Sequence, residues 1–67
     1  MLNFMIYIDP DGDYRWYLTG ENNRRIADSA EGYRRRMDCE HSIRLMKLLA
    51  PTAKIEMLPR VETLLEV

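Results

Sequence analysis

The stretch IDPDGDYRWYLTG, residues 8–20, places three aspartates around one glycine. Acidic spacing of this kind occurs in calcium-binding loops and in tight turns. An EF-hand loop starting at Asp9 would need glycine at its sixth position and glutamate at its twelfth, where this chain has Tyr14 and Gly20. In a turn, proline presets φ, Asp9 bonds the backbone two residues on, and Gly12 adopts a positive φ. The stretch therefore predicts a β-hairpin.

The segments on both sides of this turn alternate in polarity with a period of two, and both are rich in aromatic and β-branched residues. In LNFMIYI, residues 2–8, the residues sharing one face are Leu2, Phe4, Ile6 and Ile8. In YRWYLT, residues 14–19, they are Tyr14, Trp16 and Leu18. This pattern is typical of strands with one buried face.

A third strand follows a second turn signal. The turn is GENN, residues 20–23, and RRIADS, residues 24–29, offers a short strand with Ile26 facing inward and Ala27 on the opposite face. Gly32 then breaks the strand pattern.

From about Arg35 to Ala50 the apolar period becomes helical, and Pro51 ends it. The apolar stripe of this predicted helix consists of Cys39, Ser42, Ile43, Met46, Leu49 and Ala50. AKIEML, residues 53–58, alternates again and offers a fourth short strand. The elements predict an α+β fold of β-β-β-α order, in which one helix packs on a three-stranded antiparallel sheet. The domain is placed over residues 1–58 and a C-terminal tail over residues 59–67.

A chain of 67 residues supports only a small core, and its single cysteine, Cys39, cannot form a disulfide within the chain. The sheet face away from the helix would carry Met5, Tyr7, Tyr17 and Ala27, and Leu48 lies off the helix stripe. Apolar residues left over in this way predict a partner surface, and we expect a homodimer. The expected interface residues are Met5, Tyr7, Tyr17, Leu48, Met57 and Leu58.

The motifs in this order resemble those of the YegP-like family of small uncharacterised bacterial proteins. The resemblance covers residues 4–50 and rests on F-x-I-Y-x-D from Phe4, G-x-Y-R-W-x-L from Gly12, and the later I-A-x-S, E-G-Y and C-x-x-x-I. It implies a β-β-β-α repeat that pairs with a second copy when a chain holds only one. Ala30 is an extra residue that favours a bulge, and Arg35 stands where the family often has a helix-capping serine.

Composition narrows the expected location and chemistry. The net charge is −1 and 46% of the residues are hydrophobic, which indicates a globular chain without a global pull towards nucleic acid or membrane. The first residues lack a basic start and a cleavage site, so the sequence predicts a cytoplasmic protein. No cofactor or metal is expected. Cys39 and His41 lie two apart on a helix and face different ways, so no catalytic pair is expected.

The charge is uneven along the chain, with a net +3 over residues 24–47, where seven basic residues meet four acidic ones. The candidate partner-binding residues are Arg24, Arg25, Arg34, Arg35 and Arg36. Arginine binds carboxylates and phosphates in bidentate geometry, so an acidic protein surface is one expected partner. The sequence favours a non-enzymatic homodimeric interaction module, including a small stoichiometric binder or inhibitor of another macromolecule. The alternative is a nucleic-acid-binding module that uses the arginines and exposed aromatic rings.

Overall fold

Three antiparallel strands followed by one helix form the architecture, as predicted. The computed structural model describes residues 1–60. The sheet order is β1-β2-β3, and two short 3-10 turns span Glu21–Asn23 and Ala50–Thr52. The strands are β1 (Asn3–Ile8), β2 (Tyr14–Thr19) and β3 (Arg25–Asp28), and the helix is α1 (Arg36–Leu49). Residues 61–67, most of the predicted tail, lie outside the described residues.

The first turn is held by the aspartate and glycine that the sequence singled out. Gly12 has φ +86°, and its N–H donates to the Asp9 carbonyl oxygen at 2.9 Å. Asp9 Oδ1 accepts the N–H groups of Asp11 and Asp13, and Asp9 Oδ2 accepts the Arg15 Nε–H at 2.6 Å. The hydrogen bond from Arg15 contributes most to lowering the pKa of the Asp9 carboxyl. The hairpin prediction is therefore confirmed.

Trp16 is the centre of the core. It lies in the middle strand opposite Ile6, is 3% exposed, and packs edge-on against the Phe4 ring at 5.2 Å. Its indole Nε1–H donates to Ser42 Oγ on α1 at 3.0 Å, and its backbone N–H donates to Ser29 Oγ. Trp16 thus joins the sheet and the helix through its side chain, and the segment after β3 through its backbone.

The placement of Ala27 on the open face is wrong. Ala27 pairs with Leu18, which lies on the helix side of β2, whereas Asp28 pairs with Tyr17 on the other side. The register shifts at Leu18/Thr19, so Ile26 is an extra residue between two ladder pairs. Such a bulge resets the alternation of side chains between the two faces, and a strict period of two fails across it.

A second irregularity follows β3, where the extra Ala30 favoured a bulge. The backbone of Ser29 is hydrogen-bonded to Trp16, and that of Tyr33 to Tyr14. One residue of β2 separates these two contacts, whereas three residues, 30–32, separate them on the other segment. The chain therefore bulges outwards beside the helix, as the sequence predicted.

Only the first half of α1 is well covered by the sheet. Cys39 is fully buried and Ser42 bonds Trp16, but Met46 and Leu49, on the same predicted stripe, are about half exposed. The apolar stripe is therefore longer than the surface that the chain itself offers to cover it.

The predicted fourth strand over residues 53–58 is wrong for this chain. These residues are not paired with any strand among the described residues, and Ile55 and Met57 are fully exposed. After the 3-10 turn at Ala50–Thr52, residues 53–58 pair with neither edge of the three-stranded sheet. An alternating segment forms a strand only when it has a neighbour to share backbone hydrogen bonds.

The start of α1 offers a stabilising substitution. Arg35 occupies the N-cap with extended backbone angles, but its side chain makes no capping hydrogen bond. Replacing Arg35 by aspartate supplies a capping acceptor and a favourable charge at the helix N-terminus, so we expect the free energy of unfolding to rise by about 1 kcal/mol. Urea denaturation measures this rise. Arg34→Asp, which makes the same charge change one residue before the cap, is the control, and an equal gain in both variants would contradict the capping explanation.

Candidate interaction surfaces

The sheet face opposite α1 carries two packed tyrosines and an arginine. The rings of Tyr7 and Tyr17 lie 5.8 Å apart, and the Arg25 guanidinium lies 3.9 Å over the Tyr17 ring. Met5 pairs with Tyr17 across the two strands and is partly exposed. We call Met5, Tyr7, Tyr17 and Arg25 the Tyr–Arg face. The structure thus brings together three of the residues expected at an interface, beside one of the candidate arginines.

The side of α1 next to β3 forms an apolar groove of about 560 Å³. Its helix wall consists of Ser42, Leu45, Met46 and Leu49. Its other walls come from Trp16, Ala50, Ala53, residues 28–31 and Tyr33. A cleft of this volume has room for several side chains. The groove was not predicted from the sequence, although an apolar helix stripe much longer than the four-residue β3 beside it indicates uncovered apolar surface.

Residues 53–58, here called the C-terminal segment, belong to no helix or strand, and all six are exposed. Ile55, Met57 and Leu58 project from it, and all three are exposed. Ala53 at its start lines the apolar groove. Two of the expected interface residues, Met57 and Leu58, therefore lie on a segment that leads away from the groove of its own chain.

Leu48 is separated from the other expected interface residues. It is 70% exposed and lies nine positions after the buried Cys39, which places it on the opposite side of the helix, away from the sheet. The Tyr–Arg face is the side of the sheet that faces away from the helix. A single flat interface therefore cannot contain both Leu48 and the Tyr–Arg face.

The five candidate arginines form two groups. Arg25 pairs with Thr19 at one end of β2, whereas Tyr33, just before Arg34, pairs with Tyr14 at the other end. Five residues of strand separate these points by about 17 Å. Arg24 lies next to Arg25, Arg34–Arg36 lie at the start of α1, and all five arginines are exposed. Arg36 Nε also forms an ion pair with Glu40 at 3.3 Å.

The described residues show neither a reactive cysteine nor a cluster of metal ligands. Cys39 is fully buried, and burial raises the pKa of its thiol, which disfavours the nucleophilic thiolate. Within residues 1–60 there is no group of three His, Cys, Asp or Glu side chains that could hold a metal ion. In the same part of the chain, no helix has the length and apolar character needed to cross a membrane.

Comparison with known proteins gives consistent matches. Residues 9–56 match the family described as "Domain of unknown function (DUF1508)". A UPF0339 protein of Neisseria meningitidis serogroup B is 43% identical over 44 residues, which is 66% of this chain and 77% of that protein. A UPF0339 protein of Methanosarcina acetivorans is 38% identical over 55 residues, 82% of this chain and 93% of that one. The NMR solution structure of a protein from Haloferax volcanii superposes with a TM-score of 0.80 at 32% identity, covering 85% of this chain and 95% of that chain.

Proposed function

The chain belongs to the DUF1508 family, which is the YegP-like family indicated by its motifs, and from this premise we propose that it is a non-enzymatic homodimeric interaction module. Two copies complete a shared core, and the assembly presents its exposed faces to another macromolecule. The family description names no activity, so the proposed role rests on the surfaces described above.

One observation carries the homodimer. Among the described residues only two hydrophobic residues, Trp16 and Cys39, are buried, whereas 14 large hydrophobic side chains are exposed. A small domain without a disulfide needs additional burial to be stable, and a second copy supplies the same apolar surface twice. The exposed side chains include those of the apolar groove and of the C-terminal segment, so the surface available for burial is continuous with the core.

We expect light scattering at micromolar concentration to give twice the chain mass of 8.0 kDa. Because dimerisation stabilises the folded state by mass action, the melting temperature should fall on dilution. A particle of one chain mass whose melting temperature does not change with concentration would contradict the homodimer.

The dimer leaves the Tyr–Arg face for a further partner, and we take this partner to be a protein with an acidic surface. Tyrosine and arginine are enriched where protein interfaces are strongest. Arg24 and Arg25 lie at one end of this face and supply the positive charge for carboxylates on the partner. A small stoichiometric binder or inhibitor works in this way, by covering a surface of its target. Capture of proteins from the source cell on the wild type and on a Tyr17→Ser, Arg25→Ser variant tests the assignment, since specific partners should be lost from the variant alone.

The same face supports one alternative, a nucleic-acid-binding module. Partly exposed tyrosine rings beside an arginine are the groups on which single-stranded bases stack. In that case fluorescence anisotropy should detect binding of a labelled single-stranded oligonucleotide. The affinity should fall steeply as the salt concentration increases. Tyr17→Ser should weaken this binding and Leu48→Ser, on the far side of the helix, should not. Absence of binding at low salt would leave the protein-binding role.

A further inference from the structure

We propose that the C-terminal segment of each chain lies in the apolar groove of a second copy and adds a strand to the outer edge of its β3. This inference rests on the proposed homodimer and names the contact that forms it. Both partners of the contact are visible in one chain: a groove about 560 Å³ in volume, and an exposed segment of which only Ala53 lines that groove while Ile55, Met57 and Leu58 remain uncovered.

The alternation of the segment matches the two sides of the edge it would join. Ala53, Ile55 and Met57 share one side of an extended chain, and Lys54 and Glu56 share the other. On the helix side, β3 presents Ala27, the bulge residue Ile26 is exposed, and the groove begins at Asp28, the last residue of β3. The apolar side of the segment therefore covers apolar surface, and its charged side joins the face that carries Tyr17.

Charge complementarity sets the direction of the added strand. The open face of β3 carries Arg25 near its start and Asp28 at its end. A segment that runs antiparallel to β3 places Lys54 beside Asp28 and Glu56 beside Arg25, so both cross-strand pairs have opposite charges. The parallel direction places like charges together. Pairing also removes an exposed sheet edge, which otherwise invites association.

The position of the segment favours exchange between two copies. Ala53 lines the groove of its own chain, and the following residues lead away from it. A two-fold axis close to Ala53 brings the groove of each chain next to the segment of the other, and it buries Leu45, Met46 and Leu49 in the same contact. In this arrangement residues 53–58, which alternate like a strand, have a strand to pair with in the second copy.

Complementation between two variants tests the exchange. The segment variant carries Ile55→Asp and Met57→Asp, the groove variant carries Leu45→Asp and Leu49→Asp, and the control carries Leu48→Asp. Each of the first two variants should dissociate at least 100-fold more readily than the wild type, because it places charge in an apolar contact twice per dimer. The control should keep the wild-type affinity. Mass by light scattering and far-ultraviolet circular dichroism are measured together.

Mixing the segment and groove variants should restore a dimer, because the intact segment of one chain meets the intact groove of the other. If the single variants lose structure, mixing should restore their circular dichroism. Two weakened variants that fail to complement would overturn the exchange in favour of a segment bound to its own chain. A wild-type dimer that neither variant weakens would overturn the exchange and leave the homodimer standing, whereas a wild-type monomer would overturn both.

Discussion

Replacing Trp16 by alanine should lower the free energy of unfolding by about 3–5 kcal/mol. Trp16 is 3% exposed and contacts the Phe4 ring, so its removal costs both buried apolar surface and the cavity that remains, about 3–5 kcal/mol. A folded chain of this length has a total stability of roughly 3–10 kcal/mol. The expected loss is therefore a large share of the free energy of unfolding. Urea denaturation at one fixed protein concentration measures this loss. It is monitored by far-ultraviolet circular dichroism, because the variant lacks the only tryptophan.

Ser42→Ala is the matched control for this prediction. It removes the oxygen that accepts the indole N–H at 3.0 Å but leaves the indole ring in place. The Ser42 hydroxyl also donates to the Cys39 carbonyl oxygen at 2.7 Å. Loss of these two hydrogen bonds costs about 1–2 kcal/mol, so this variant should stay folded. A Trp16→Ala variant within about 1 kcal/mol of the wild type, on the scale of a single lost hydrogen bond, would show that the core does not depend on the ring.

Gly12→Val should give the second largest loss of stability, about 2 kcal/mol, because a β-branched residue resists the left-handed backbone that the first turn requires. Gly12 has φ +86°, and a Cβ built there meets no atom within 4 Å. A Cβ at this position is therefore not crowded, and we attribute the expected loss to the backbone conformation. Thermal or urea denaturation at fixed protein concentration measures it.

Gly12→Asn provides the comparison, since asparagine tolerates positive φ. The chain itself uses asparagine in this way, because Asn22 and Asn23 have φ of 59° and 57° in the second turn. We expect Gly12→Asn to lose less than half as much stability as Gly12→Val. Equal losses in the two variants would show that the turn needs something other than a left-handed conformation at this position.

The Tyr–Arg face and the apolar groove differ in how far the sequence predicted them. The Tyr–Arg face was largely predictable, because Met5, Tyr7 and Tyr17 lie at alternate positions of two strands joined by a recognisable turn. Arg25 was predicted as a partner-binding residue, but its contact with the Tyr17 ring depends on the bulge that shifts β3. The apolar groove was not predicted, because it arises from the relative lengths of α1 and β3 and from the bulged residues 30–32 between them.

The sequence by itself determined the local features of this protein. The turn at Asp9–Gly12, the alternation of β1 and β2, the helix and its end at Pro51 each depend on residues a few positions apart, and the structure contains them all. Steric preferences of proline and glycine and the two side-chain periods act over this range, so reading them requires no knowledge of the fold.

The tertiary structure decided the features that depend on which strands meet and in what register. It placed Ala27 on the helix side, divided the arginines between two ends of β2, and left residues 53–58 without a strand partner among the described residues. One extra residue in a strand reverses the faces of all that follow, and backbone hydrogen bonds in a sheet join residues far apart in sequence. Alternation alone therefore identifies a segment able to form a strand, whereas the pairing partner is fixed only when the chain, or two chains, fold.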